Sequence, residues 1–236
     1  MKLTLVRHAT LVLETSGRRI LIDPMLDDAG ARPPIEDTEN DLRNPLVGLP
    51  FPAADVVAGT DGVVVTHLHE DHFDDRAEAL IPPSTPLLTQ PDSLADLRSR
   101  GFSAATDEPS GWLGLDVVRT GGRHGPGDLA AALGPVSGFV VDGVYVAGDT
   151  IWCDDVAEAI ERHRPRTIVV NGSGARFTGS PPIVMDVADV RALRAATDGR
   201  VVVVHLEAIN HCLERRDAYR GIDGVDVPAD GETLEL

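Results

Sequence analysis

The segment Thr66-His67-Leu68-His69-Glu70-Asp71-His72 places three imidazoles and two carboxylates within six positions, directly after the apolar run Val63-Val64-Val65. A buried strand that empties into a tight turn would aim His67, His69, Asp71 and His72 at one small volume. Imidazole nitrogen and carboxylate oxygen are the ligands that zinc and similar divalent ions prefer. Packing alone gives no reason to crowd so many titratable groups at one strand end, because buried and unpaired they are costly. The chemistry this pattern offers is metal-assisted activation of water.

Three further polar residues sit just past runs that read as strands. His124 follows 113–119 and the turn Gly121-Gly122; Asp149 follows 144–147 and Gly148; His205 follows 201–204. Strand ends are where open sheets gather their sites, and Gly148 would let the backbone approach whatever Asp149 contacts. Taken singly, each has a plainer reading. His124 could be a surface loop histidine and Asp149 a turn aspartate. His205 has two rivals close behind it, Glu207 and His211, and its strand-end position favours it. His211 is then left to bind substrate or to cap a helix. His8, between two opening strands, reads as structural, and Cys153 as a buried, inert thiol. The loop Asn171-Gly172-Ser173-Gly174 could hold a phosphate or carboxylate on its backbone N–H groups, or be a plain active-site loop. It lacks a P-loop lysine and dinucleotide spacing. Asn171, Ser173 and His211 are the candidates for substrate contact.

The elements that must carry these residues alternate strand and helix. Residues 2–6, 9–14 and 19–22 read as an opening β-meander that ends at Asp23-Pro24. The stretch 26–53 carries Pro33-Pro34, Pro45, Pro50 and Pro52 with no clear period. A structureless loop that long is usually functional, so it reads as a flap beside the site or an oligomer contact. A short helix is predicted over 74–80 and a strand over 86–89. A helix capped by Asp92 should run to Arg100, where Gly101 stops it. Strands are predicted over 113–119, 138–141 and 144–147, with Asp142-Gly143 as a hairpin turn. Helices over 154–164 and 186–196 alternate with strands over 167–170 and 201–204. The pattern predicts two mixed sheets packed together with helices on the outer faces, in a single domain spanning 1–236.

Together these residues resemble the metallo-β-lactamase superfamily of metal-dependent hydrolases. His67, His69, Asp71 and His72 form H-x-H-x-D-H, and His124, Asp149 and His205 follow in the family's order over nearly the whole chain. Asp23 matches a structural position beneath the metal loop. Among the branches, the chain is similar to compact bacterial hydrolases related to the ascorbate-phosphate lactonase group. The resemblance implies a four-layer αββα sandwich and two divalent metal ions, with zinc as the default and manganese or iron as alternatives. It puts one ion on His67, His69 and His124, the second on Asp71, His72 and His205, and Asp149 between them. Glu70 matches no ligand position and should face solvent. Two such ions share a hydroxide and polarise the bond under attack, with Asp71 also orienting the hydroxide or relaying a proton. The implied reaction is hydrolysis of an ester, lactone, amide or phosphoester of a small molecule. The alternatives are a nucleic-acid phosphodiesterase of the same superfamily and a non-catalytic or redox metal-binding protein.

Composition narrows this further. The net charge is −17, and Lys2 is the single lysine. A nucleic-acid binder would show a basic face, so none is expected as a partner. Cys153 and Cys212 make no disulfide framework, which suits a reduced cytoplasmic setting. No apolar run approaches the ~18 residues of a membrane span. The N-terminus does not read as an export signal, which counts against an antibiotic-degrading role. Little chain follows His211, which counts against a glutathione-thioester hydrolase. A homo-oligomer is expected from family habit alone.

Overall fold

The computed structural model describes residues 1–236. Its strands are β1 (Lys2–Arg7), β2 (Thr10–Thr15), β3 (Arg18–Ile22), β4 (Gly62–Val65), β5 (Leu87–Thr89), β6 (Ala105–Thr106) and β7 (Val117–Thr120), then β8 (Gly138–Val141), β9 (Val144–Val146), β10 (Thr167–Asn171), β11 (Arg200–Val204), β12 (Val225–Asp226) and β13 (Thr233–Glu235). The helices are α1 (Ala53–Val57), α2 (Asp75–Leu80), α3 (Pro91–Ser99), α4 (Asp128–Leu133), α5 (Asp154–His163), α6 (Val187–Ala195) and α7 (Arg216–Tyr219). One sheet has seven strands in the order β13-β1-β2-β3-β4-β5-β6, the other six in the order β12-β11-β10-β9-β8-β7. Each sheet is antiparallel over part of its width and parallel over the rest.

The strands are apolar on both faces because both faces are covered. Leu3, Ile20, Ile22, Val64 and Leu88 of the first sheet meet Phe139, Val146, Val169, Val202 and Val204 of the second, forming the central core. Their sequence neighbours point the opposite way, as a two-residue period requires. Leu21, Val63, Val65 and Leu87 pack under α1, α2 and α3 through Val56, Ala77 and Leu97. Ile168, Val170, Val201 and Val203 pack under α5, α6 and α7 through Ile160, Leu193 and Tyr219. This is the αββα sandwich the sequence predicts.

Several local expectations change. Residues 112–114 form a 3-10 turn with Leu113 at φ 54°, and β7 begins only at Val117. Trp112 and Leu115 close the inter-sheet core from this turn instead of pairing in a strand. Helix α3 starts at Pro91, with Gln90 at its N-cap and no side-chain cap. The fixed φ of proline suits a first helical position, so Asp92 lies inside the first turn, where its charge meets the helix dipole. The short strand β13, paired antiparallel to β1, has no counterpart among the predicted elements. Asp142 and Gly143 both take positive φ, as a tight hairpin turn between β8 and β9 demands.

The 26–53 segment has no helix or strand before α1, yet it is firmly held. Buried Arg7 donates to the carbonyls of Met25, Asp27 and Val47 at 2.9 Å each. Asn210 reaches the far end. Its amide bonds both Ile35 N and Ile35 O at 3.0 Å, Thr38 Oγ1 at 2.6 Å and Asn44 Nδ2 at 2.8 Å. The segment is therefore a flap pinned beside the site, the first of the two roles its sequence suggests.

Candidate metal centre

The cluster assembles where strands of both sheets end. His8 turns the chain between β1 and β2, Asp23 follows β3, and the His67–His72 loop follows β4. From the second sheet, His124 follows β7, Asp149 follows β9, Asn171 ends β10, and His205 follows β11. Gly148 is required here. Its φ is +70°, and a Cβ would lie 2.9 Å from Ser137 O and 3.3 Å from Thr66. His8, Asp23 and His205 also hold positive φ, which is uncommon for side chains of this size. The His205 N–H donates to His8 O at 2.9 Å, locking the two sheets together at the site.

All seven expected ligands converge. His67, His69 and His124 form one group whose ligand atoms lie within 4.8 Å of each other, and Asp71, His72 and His205 belong to a second. Asp149 lies between the two groups. Its Oδ2 is 3.5 Å from His124 Nε2 and 4.0 Å from His67 Nε2. Its Oδ1 is 3.2 Å from His72 Nε2 and 3.5 Å from His205 Nε2. Glu70 matches its expected exposure and pairs with Arg32 at 2.7 Å.

The outer ring nitrogens say which atoms are free to ligate. His72 Nδ1 lies 2.9 Å from Asp23 Oδ2, His124 Nδ1 2.8 Å from Ile183 O, and His69 Nε2 3.1 Å from Leu133 O. Each partner accepts only, so each outer nitrogen carries the hydrogen. His67 Nδ1 lies 3.0 Å from Thr66 Oγ1, whose own hydrogen goes to Asp23 Oδ2 at 2.8 Å. His67 therefore donates as well. When the rings are neutral, four inner nitrogens are left with lone pairs facing the cluster, which is how ligating histidines are held. The buried Nε2 atoms of His72 and His205 have no hydrogen-bond partner. Buried atoms without partners, among two ionised carboxylates, are what divalent cations would satisfy. The residues fit metal.

His8 differs. Its Nε2 lies 3.1 Å from Asp71 Oδ2, its ring rests on His205 at 3.6 Å, and its buried Nδ1 has no partner. If Nε2 ligated a cation, Nδ1 would carry a buried hydrogen with nothing to receive it. The cheaper arrangement has Nε2–H donating to Asp71 and leaves only a lone pair unmet on Nδ1. His8 thus holds Asp71, which is more than the plain structural role its sequence position suggests. No motif marks it; only its place across the sandwich from His205 does.

The electrostatics follow from burial and mutual charge. Burial raises the carboxyl pKa of Asp71 and Asp149, but the surrounding histidines outweigh it and hold both well below their ordinary range. Burial, then its histidine neighbours, drives His67 well down, and burial lowers His124. His8 is pushed down to about 3 by burial and then by His205. Burial also opposes charge on His72 and His205, yet Asp149 prevails. His72 lies well above its usual value and His205 rises to about 10.

The three residues expected at the substrate divide. His211 lines the pocket beside His69, Asp71, His124 and Asp149, and its buried Nδ1 is unpartnered, so it caps no helix. Asn171 does not line the pocket. Its Nδ2 donates to Asp149 Oδ1 at 2.6 Å. Ser173 Oγ likewise sits behind the site, 3.4 Å from His205 Nδ1. Both lie at the end of β10 beneath the ligands, so the geometry moves them from substrate contact to ligand support. Of the rivals to His205, Glu207 is committed to Arg216 at 2.5 Å.

This sandwich and ligand cluster define a metallo-β-lactamase-fold hydrolase, and comparison with known proteins agrees. Residues 18–206 match the model of the Beta-lactamase superfamily domain, so the chain belongs to that superfamily and is a metal-dependent hydrolase. It is 34% identical to UPF0173 protein YddR of Bacillus subtilis (strain 168), over 99% of each chain. Among solved structures it is similar to an isothiocyanate hydrolase from Delia radicum gut bacteria. That match has TM-score 0.92 and 36% identity, over 100% of this chain and 99% of the other. It is also similar to a possible metal-dependent hydrolase from Veillonella parvula DSM 2008, with TM-score 0.95 and 31% identity over the same shares. No helix is long and apolar enough to cross a membrane.

Proposed function

We propose that the protein is a dinuclear hydrolase that adds water to an electrophilic carbon of a small molecule, with isothiocyanates as the first substrates to try. The observation that carries it is Asp149, which turns one oxygen toward each ligand group. His67, His69 and His124 would hold one cation, and Asp71, His72 and His205 the other. When bound, such a pair lowers the pKa of water toward neutrality and polarises the bond under attack. Zinc suits these ligands, and so do manganese and iron.

Asp71 is both a ligand candidate and part of the pocket wall. Its low pKa keeps it ionised, so it orients the water by accepting a hydrogen bond. His211 faces the same space and is placed to hydrogen-bond the substrate beside the reacting carbon. The pocket encloses about 300 Å³, the low end of small-ligand sites, and Met25, Ile35, Phe177, Ile183 and Ile209 give it apolar walls that exclude bulk water. The isothiocyanate reading is supported by the 36% identical neighbour of that name. For R–N=C=S, a C–O bond forms and the C–N bond breaks. Both water protons end on nitrogen, giving an amine and carbonyl sulfide.

The test is metal analysis of purified protein, with amine release from benzyl isothiocyanate measured before chelation, after it, and after reloading with zinc, manganese or iron. An ester, a lactone and a phosphodiester are assayed in parallel. Turnover that disappears with the metal and returns with it is expected. An unchanged rate in metal-free protein overturns the proposal.

A further inference from the structure

Arg32 is the only arginine or lysine that lines the pocket. In many sites a cation at this place recognises a carboxylate or phosphate on the substrate. Here the guanidinium is already used. Nε meets Asp27 Oδ2 at 2.6 Å, Nη1 meets Glu70 Oε2 at 2.7 Å, and Nη2 meets Asp75 Oδ2 at 3.2 Å. All three nitrogens face carboxylates, and the side chain is only 15% exposed. One positive charge is thus surrounded by three negative ones. Its role is to tie the flap base (Asp27) to the metal loop (Glu70) and to the start of α2 (Asp75).

The rest of the wall away from the metal ligands is apolar apart from Asn44, Glu70 and His211. Asn44 is spent on Asn210 through both side-chain atoms, and Glu70 adds negative charge at the rim. An anionic substituent reaching past the metal centre would meet carboxylates and hydrocarbon with no free cation. Its desolvation would go uncompensated.

We infer that the pocket selects substrates whose non-reacting part is uncharged and apolar, and that the triply engaged Arg32 is what removes anionic ones. This deepens the proposed hydrolase reading and rests on it. It sets isothiocyanates, esters and lactones with a carboxylated substituent behind their neutral counterparts.

The test uses binding, so it needs no known substrate. Thiols anchor on zinc, leaving their substituent in the pocket. Zinc-loaded protein is titrated calorimetrically with benzyl mercaptan and with 4-(mercaptomethyl)benzoic acid. The neutral thiol is expected to bind about thirtyfold tighter or more, a difference of about 2 kcal/mol. Kinetics with benzyl and 4-carboxybenzyl isothiocyanate should show the same order in kcat/KM. Glu70→Gln combined with Asp75→Asn leaves Arg32 with Asp27 alone, and should shrink the ratio by about tenfold by freeing donors and charge. Equal or tighter binding of the carboxylated thiol overturns the inference while leaving the hydrolase intact. So does a ratio that the double variant leaves unmoved. A protein that takes up no zinc, manganese or iron instead overturns the reading beneath it.

Discussion

His8 Nε2, in the turn between β1 and β2, lies 3.1 Å from Asp71 Oδ2 in the metal loop after β4. The histidine is fully buried and stays neutral, so it acts as a fixed donor to one carboxylate oxygen. His8→Phe keeps a ring against His205 but loses that hydrogen bond. Affinity for the metal ion proposed to sit on Asp71, His72 and His205 should fall about 10–100-fold, the usual cost of losing a partner behind a ligand. Competition with a chromophoric chelator measures this. Unchanged affinity would mean that Asp71 is held by its ligand neighbours alone.

Asp23 carries a larger share of the scaffold. It accepts from Thr66 N at 2.8 Å, Thr66 Oγ1 at 2.8 Å and His72 Nδ1 at 2.9 Å, all buried. Asp23→Ala leaves three donors unmet, and should destabilise the fold by about 2–4 kcal/mol as well as weakening metal uptake. Urea unfolding of metal-free protein isolates the first effect. A shift below about 0.5 kcal/mol, the level of an ordinary surface change, contradicts the assigned role.

Metal uptake should release protons. In metal-free protein burial opposes charge on His205, but Asp149 outweighs it and its pKa rises to about 10. A group with a raised folded pKa stabilises the fold fully below its unfolded value of about 6.5, and this contribution fades as pH climbs toward 10. Cations bind only the deprotonated ring. Apparent metal affinity should therefore increase with pH across that window. Calorimetry in buffers of different ionisation heat should register the protons displaced. A binding heat independent of buffer contradicts this.

His211→Phe removes the one uncommitted polar side chain on the pocket wall. We expect kcat/KM to fall about tenfold or more, as when a buried hydrogen bond to substrate is lost, with metal content unchanged. His211→Gln, which retains a donor, should recover part of the loss. Equal activity in all three proteins would remove His211 from the substrate contacts.

Asn210→Ala should loosen the flap without touching the cluster. Its amide bonds Ile35, Thr38 and Asn44, and a segment freed of such bonds opens at low cost. KM should rise about fivefold to tenfold with a smaller change in kcat, and limited proteolysis between residues 34 and 44 should quicken. Wild-type cleavage rates in the variant would show that Arg7 and packing suffice to hold the flap.

Much of this molecule is legible in its sequence because its strands are buried on both faces. Runs such as 63–65, 168–170 and 201–204 are continuously apolar, and polar residues stand out where they end. That contrast is enough to mark His67, His69, Asp71, His72, His124, Asp149 and His205 as candidates. It fails where local pattern and tertiary demand diverge. Residues 113–115 read as the start of a strand but belong to a turn from which Trp112 and Leu115 close the core. Asp92 looks like a cap until Pro91 takes the first helical position.

Residue types and their order along the chain determined the class of chemistry, since ligand chemistry is a property of side chains and strand ends are local. The fold alone decided what each remaining group does. His8 lies on Asp71, Asn171 and Ser173 back the ligands, and Arg32 is surrounded by three carboxylates. Each of these depends on a contact between segments far apart in sequence, and no local pattern encodes a distance of that kind.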